Sequence, residues 1–248
     1  MPLSVAIITR NAATQLERCL ASVAFADEVV VVDSGSSDGT AELAAGRGAR
    51  VLHKEWLGFG AQKQFAVEAA SHDWVLCLDA DECLSPELRD SIIAELKVPR
   101  GLVYAMPRRN RFLGRWLKHG EGYPDWSVRL FHRRHARWGQ EAVHEKVVTA
   151  AQILRLRGDL LHDSAETLEK YLEKQNRYTS LQAESLRAAG HRASALRLVI
   201  SPSLRFVKFY LLRLGFLDGV PGLVHITVGC MNSFNKYAKL KALERAAE

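Results

Sequence analysis

Two carboxylates one residue apart at the end of an apolar run are the strongest chemical signal in the chain: Asp79 and Asp81, in Leu76-Cys77-Leu78-Asp79-Ala80-Asp81-Glu82. Oxygen donors so placed can share a hard cation. Mg2+ or Mn2+ held by one or two carboxylates fills its shell with water and substrate phosphates. Glu82 could support such an ion indirectly, through the groups around it. An acidic loop that merely ends a strand is the plain alternative. Asp33, in the run EVVVVDSGSSDGT, is the second signal. A carboxylate there can accept from a base N–H or a ribose hydroxyl, with Gly35 and Gly39 permitting a tight loop. Its alternative is an Asx turn that caps the next helix. Neither GxGxxG after the first strand nor GxxxxGK occurs, which disfavours a redox dinucleotide fold and the common phosphoryl-transfer loop.

Those acids need strands to carry them. Leu3–Thr9 (LSVAIIT) and Glu28–Val32 (EVVVV) are apolar and β-branched, the pattern of strands buried on both faces. Ala49–His53 and Trp74–Leu78 continue the series. Between them Asn11–Ala24, Thr40–Gly46 and Gln62–Ser71 read as helices, and Ser85-Pro86-Glu87 opens another with a cap and a proline at its first position. Strands alternating with helices predict a mostly parallel sheet flanked by helices, with ligands beyond the strands' carboxyl ends, where both acidic loops fall.

The composition is that of an ordinary globular protein: 248 residues, 48% hydrophobic, 25% charged, net charge +6. The first residues read as a strand rather than a secretory leader, and no uninterrupted run of 18 apolar residues predicts a simple span. Cys19, Cys77, Cys83 and Cys230 lack paired spacing and read as small core residues in a reducing compartment. Charge is uneven: residues 187–248 carry ten basic against three acidic residues, a net of +7. A long polar helix pattern over 165–190 is followed by Ser201-Pro202, which predicts a helix over Leu204–Leu214. That segment puts Arg205, Lys208 and Arg213 against Phe206, Val207, Tyr210, Leu211 and Leu214, the basic amphipathic pattern of a membrane surface. Packing on the rest of the protein is the other reading. Arg108, Arg109, Arg111 and Arg115 alternate with Phe112 and Trp116, and Arg129 and Arg133 extend the set; this suits single-stranded nucleic acid or a phosphorylated sugar.

SVAIITRN, EVVVVDSGSSDGT, GFGAQKQ and WVLCLDADE, in this order, resemble the nucleotide-sugar-binding half of family 2 glycosyltransferases, which have the GT-A fold. RRNRFLGRWLKHG, YPDWSVRLF and VHEKV are similar to a subgroup that adds glucose from UDP-glucose to heptose of the lipopolysaccharide inner core. The resemblance covers about Leu3–Val147. It implies a GT-A catalytic domain over 1–160 and a basic helical extension over 161–248 that associates peripherally with the cytoplasmic face of an inner membrane. It also implies that Thr9, Arg10, Asp33 and Asp38 bind uracil and ribose. Gln62 and Lys63 would approach the nucleotide, although a solvated surface lysine is the plain reading of the latter. Asp79 would face ribose or sugar, and Asp81 would hold a divalent metal, Mg2+ or Mn2+. An inverting transfer needs a general base, and either Asp125 or Glu145 could serve. Arg109, Arg111, Trp116, Tyr123, Trp126, Arg129 and His144 would meet a lipid-linked saccharide acceptor, with Tyr123 and Trp126 able to stack a sugar ring.

Two other classes compete. A nucleic-acid-binding protein would use the basic tail, but the acidic loops repel phosphates and the tail's apolar content is then unexplained, so no nucleic acid partner is expected. A nucleotidyltransferase would want a Gly-rich basic loop after the first strand, where Thr9-Arg10-Asn11-Ala12 stands instead.

Overall fold

The computed structural model describes residues 1–139, 146–164 and 167–245. It divides into two compact units, one of residues 1–109 and 125–164, the other of residues 110–124 and 165–248.

The first unit begins with β1 (Leu3–Thr9), α1 (Ala13–Ser22), β2 (Glu28–Asp33), α2 (Thr40–Gly46), β3 (Arg50–His53), α3 (Phe59–Ala69) and β4 (Trp74–Asp79). Then come β5 (Glu82–Leu84), α4 (Pro86–Lys97) and β6 (Val103–Phe112), whose last residues belong to the second unit with β7 (Arg115–Trp116). β8 (Asp125–His132), β9 (Ala136–Trp138), β10 (Val147–Thr149), β11 (Ile153–Arg155) and β12 (Leu160–His162) complete it. The main sheet runs β3-β2-β1-β4-β8-β6-β12-β5. Its first four strands are parallel, as predicted, and β8 joins β4 antiparallel. β9 and β10 form a separate two-stranded ribbon.

Every residue of β1 is buried because helices cover both faces of the sheet. Leu3, Val5 and Ile7 pack with Leu16, Leu20, Leu88 and Ile92 on one face. Ala6 and Ile8 point the other way, toward Ala66, Val67 and Trp138. α2 spans Thr40–Gly46 as the sequence predicts. α4 starts where the serine–proline pair places it, with Ser85 Oγ accepting the Leu88 N–H at 3.2 Å and Pro86 in the first turn.

The second unit holds α5 (Leu168–Ala188), α6 (Ala195–Phe206) and α7 (Gly219–Arg245). A π-helical turn over Val207–Leu212 extends α6, and a 3-10 turn over Gly215–Asp218 leads into α7. The expected helix start at Ser201-Pro202 is corrected: α6 begins seven residues earlier, and Pro202 lies inside it. Ser194 supplies the cap by accepting the Arg197 N–H at 3.3 Å, and Ser203 Oγ donates to the Val199 carbonyl beside the proline. Pro221 falls in the first turn of α7, where a missing N–H costs nothing. Among the described residues no single helix is long and apolar enough to cross a membrane.

Candidate active site

The parallel register lines up the candidate residues. Thr9 pairs with Asp33 across β1 and β2, and Ile8 pairs with Asp79 across β1 and β4. Three polar side chains thus end three adjacent strands at their carboxyl edge, where open α/β sheets bind ligands. Thr9 is buried, and its Oγ1 has no hydrogen-bond partner among the described residues. A buried hydroxyl left so is costly unless a ligand completes it.

Asp33 forms the Asx turn: its Oδ1 accepts the Gly35 and Ser36 N–H groups, each at 2.9 Å, and Ser36 Oγ donates to Oδ2. This shapes the loop and leaves part of the carboxylate's capacity for a ligand. Asn11 interlocks the first two strand-end loops, its Oδ1 accepting the Ser37 N–H at 2.8 Å while its own N–H donates to Ser36 Oγ at 2.8 Å. Asp38 ties the same loops, accepting from the Thr40 side chain and from the Ala13 and Thr40 N–H groups. The Thr40 hydroxyl leads in lowering its pKa. Gln62, fully buried, donates to Ser34 Oγ at 3.0 Å and to the Lys54 carbonyl at 3.2 Å, and accepts the Leu57 N–H at 3.2 Å. Its amide is therefore committed to holding these loops. Arg10 is exposed at the end of β1.

Lys63 is not a solvated surface lysine. It is 4% exposed, and its Nζ lies 3.1 Å from both carboxylate oxygens of Asp79. Behind it the Trp138 ring faces the ammonium at 4.8 Å and the Arg129 guanidinium at 5.5 Å. Arg129, predicted to meet an acceptor, is instead buried between acids. Its Nε and Nη2 donate to Glu82 at 3.1 and 2.8 Å, and Nη2 reaches Asp79 at 3.2 Å. Burial alone would raise the Asp79 carboxyl, but Lys63 and Arg129 outweigh it and hold its pKa well below the usual carboxylate range. Burial likewise opposes the Arg129 charge, and Glu82 with Asp79 overcomes it, so its pKa rises.

The network continues. Arg108 Nη1 is 3.6 Å from Glu82, and its Nε and Nη2 donate to Asp125 Oδ2 at 3.0 and 2.7 Å. Asp125 starts β8 in register with Arg108 of β6, so the sheet itself sets this pair. Trp126 is exposed with the Arg155 guanidinium 4.4 Å over its ring, and Arg109 reaches Asp159 at 3.4 Å. Arg111, Trp116 and Tyr123 belong to the second unit, where the Arg111 guanidinium lies 5.9 Å from the Trp116 ring. His144 and Glu145 lie outside the described residues.

Asp81 stands clear of the cationic cluster. Its Oδ2 is 3.3 Å from His162 Nε2, at the end of β12, which pairs antiparallel with β5. Burial opposes a charged imidazole, and the Asp81 hydrogen bond and charge outweigh it, raising the His162 pKa. A carboxylate and an imidazole at this spacing fit neighbouring positions around a divalent cation. Among the described residues no group of three or more His, Cys, Asp or Glu converges as a cage. A cation here would take its other ligands from water and substrate phosphates. His162 and Trp138 are participants that the sequence does not single out, because strand pairing far along the chain brings them in; Arg108, read there as part of a basic acceptor-side or nucleic-acid patch, instead bridges Glu82 and Asp125.

This layout, a βα half-sheet with acids at its carboxyl edge and antiparallel strands completing it, is that of a GT-A glycosyltransferase. Residues 4–156 match the family model "Glycosyl transferase family 2", and the chain belongs to that family. It is 31% identical to the lipopolysaccharide core biosynthesis glycosyltransferase LpsC of Rhizobium meliloti, over 97% of this chain and 92% of that one. It is 32% identical to an uncharacterized glycosyltransferase of Rickettsia bellii, over 97% and 86% of the two chains. Among solved structures, TarS of S. aureus (residues 1–349) superposes with a TM-score of 0.50 at 16% identity, covering 100% of this chain and 92% of that one, a likeness of fold.

Proposed function

We propose that this glycosyltransferase is metal-dependent and inverting, and that it moves glucose from UDP-glucose onto a membrane-linked saccharide such as a lipopolysaccharide inner-core heptose. The observation that carries the donor half is the row formed by Thr9, Asp33 and Asp79, with Lys63 buried against the last. Thr9, whose hydroxyl has no partner among the described residues, Arg10, Asp33 and Asp38 suit a base and ribose, and Lys63 suits the diphosphate as a fixed positive charge. Gln62 keeps the loops in shape. Asp81 would hold Mg2+ or Mn2+, with His162 beside it. When bound, the cation supplies Lewis-acid neutralisation of the departing diphosphate.

In the transfer, the acceptor hydroxyl oxygen bonds to the anomeric carbon, the bond from that carbon to the diphosphate oxygen breaks, and the hydroxyl proton goes to a carboxylate. Asp125 or Glu145 takes that proton. Arg109, Arg111, Trp116, Tyr123, Trp126 and His144 would bind the acceptor, while Arg129 positions Asp79 from within. LpsC, by its name, works in lipopolysaccharide core biosynthesis, and its 31% identity supports an acceptor of that class. Residues 1–160 would then catalyse, and residues 161–248 would meet the cytoplasmic face of the inner membrane.

Calorimetric titration with UDP, with and without Mn2+ or Mg2+ and with GDP and CDP as controls, tests the donor half. Metal-dependent, uracil-selective binding is expected. Absence of binding to any nucleotide would remove the reading.

A further inference from the structure

The second unit exposes an unusual amount of hydrocarbon in one place. Leu196, Val199 and Leu204 of α6, Leu212 of the π turn, Leu217 of the 3-10 turn and Val220 at the start of α7 are all exposed, Leu212 by 75% and Val220 by 70%. Isolated exposed leucines are ordinary; a contiguous run along one helix and its following turn marks an interaction surface. Of the apolar side expected from the sequence, Val207, Leu211 and Leu214 are exposed as well, while Phe206 and Tyr210 stack on each other at 4.9 Å. The exposed stripe begins earlier, at Leu196, and continues past the bend.

The tip of this surface is rigidly held. A Cβ at Gly215 would stand 2.2 Å from Ile226 Cδ1 and 2.6 Å from the Phe209 carbonyl oxygen, and one at Gly222 would stand 2.6 Å from the Gly215 carbonyl oxygen. Asp218, 1% exposed, accepts the Lys118 and His119 N–H groups at 2.9 and 2.8 Å. Small residues thus let the turn pack against α7, and a buried carboxylate fastens it. The helix of residues 195–212 and that of residues 215–245 meet at 73°. The leucines are therefore presented outward by a fixed bend.

Charge identifies the occupant. From Arg187 to Leu217 the chain has no acidic residue, while Arg192, Arg197, Lys208 and Arg213 are exposed. Arg197 and Lys208 are eleven residues apart, about three helical turns, so they fall on one edge of the stripe. A second copy of such a surface would be repelled by like charge. Nucleic acid would leave the hydrocarbon uncovered. An anionic bilayer satisfies both parts: acyl chains take the leucines, and headgroup phosphates take the cations, whose stems reach up from the apolar level.

We infer that the bent helix pair formed by α6, the two turns and the start of α7 is a wedge that enters one leaflet of an anionic phospholipid bilayer without crossing it. This rests on the reading that the helical unit meets a membrane, and it adds the surface, the depth and the lipid charge. The test is flotation of the full chain with phosphatidylcholine vesicles and with vesicles containing about one-third phosphatidylglycerol. Wild type should float with the anionic vesicles and weakly with neutral ones. The double variant Leu212→Glu with Val220→Glu should lose flotation at least tenfold. Arg197→Gln with Lys208→Gln should weaken binding to anionic vesicles by roughly fivefold for each charge removed. Both variants should keep the wild-type circular dichroism and UDP affinity. No flotation of wild type, or flotation untouched by the glutamates, would overturn the wedge. Self-association of wild type lost in the glutamate variant would overturn it in favour of a second copy. Flotation without UDP binding would leave the wedge standing and remove the donor reading, so the two fail separately.

Discussion

Lys63 Nζ stands 3.1 Å from the Asp79 carboxylate, and both belong to the carboxyl-edge group at the ends of β1, β2 and β4. The lysine is buried, so its positive charge is set in place before any ligand arrives. Preorganised charge of this kind is worth more than charge recruited from solvent. Lys63→Met keeps the length and removes the charge. It should lower stability by about 2 kcal/mol, the scale of a charged hydrogen bond, and weaken UDP binding about tenfold. Chemical denaturation and calorimetry check this, and an unchanged affinity would return Lys63 to a purely structural role.

Asp81 and Glu82 are sequence neighbours with opposite environments. Glu82 is fully buried and bonded twice to Arg129, whereas Asp81 is partly exposed with His162 beside it. Glu82→Gln should therefore destabilise the fold by about 3–5 kcal/mol, as breaking a buried charge pair does. Asp81→Ala should leave the unfolding midpoint nearly in place and cut turnover at least about a hundredfold through loss of the metal role. Paired denaturation curves and sugar-transfer assays separate the two. A stable, near-normally active Asp81→Ala protein would sink the metal assignment.

The first half of the sheet is legible in the sequence because strands buried on both faces must be continuous apolar runs. β1 and α2 therefore fall where the pattern puts them. The acids at the strand ends follow from the same register. His162 could not be found this way. It reaches Asp81 only because a three-residue strand pairs with β5, and strands that short carry no periodic signal. The sequence shows Arg129 as a cation, but its burial depends on Glu82 and Asp79 arriving from β5 and β4. The start of α6 is not legible in the sequence because Pro202 suggests an opening, while packing along α7 carries the helix through it.

His225 offers a pH test of the second unit. Its ring lies near Phe112 and Tyr171, at 5.2 and 6.2 Å between centroids. Burial first, and then the Arg205 charge, push its pKa down from 6.5 to about 4, with Asp218 opposing. Above pH 6.5 the ring is neutral in both folded and unfolded chains, and its contribution is fully present. As pH falls from 6.5 toward 4 the unfolded chain gains a proton that the folded one refuses, so stability declines. The loss amounts to at most about 3 kcal/mol. Urea denaturation at a series of pH values should show His225→Phe declining less steeply than wild type across that window. Parallel curves would assign the acid sensitivity to other groups.

Asp125 is fastened to Arg108 by two hydrogen bonds to one oxygen, Oδ2; as the base it would meet the acceptor hydroxyl through Oδ1. A carboxylate held this way keeps its direction. Asp125→Asn preserves the size and the contact with Arg108 but cannot take a proton. It should leave UDP affinity and the unfolding midpoint within error of wild type and reduce kcat by about 10² to 10⁴. Arg108→Lys should reduce kcat less and raise KM for the acceptor, since an ammonium cannot reproduce the pair of guanidinium donors that converge on Oδ2. Glu145→Gln is the companion measurement. If it abolishes transfer while Asp125→Asn turns over at near the wild-type rate, the proton goes to Glu145, and Asp125 serves only to hold Arg108 against Glu82.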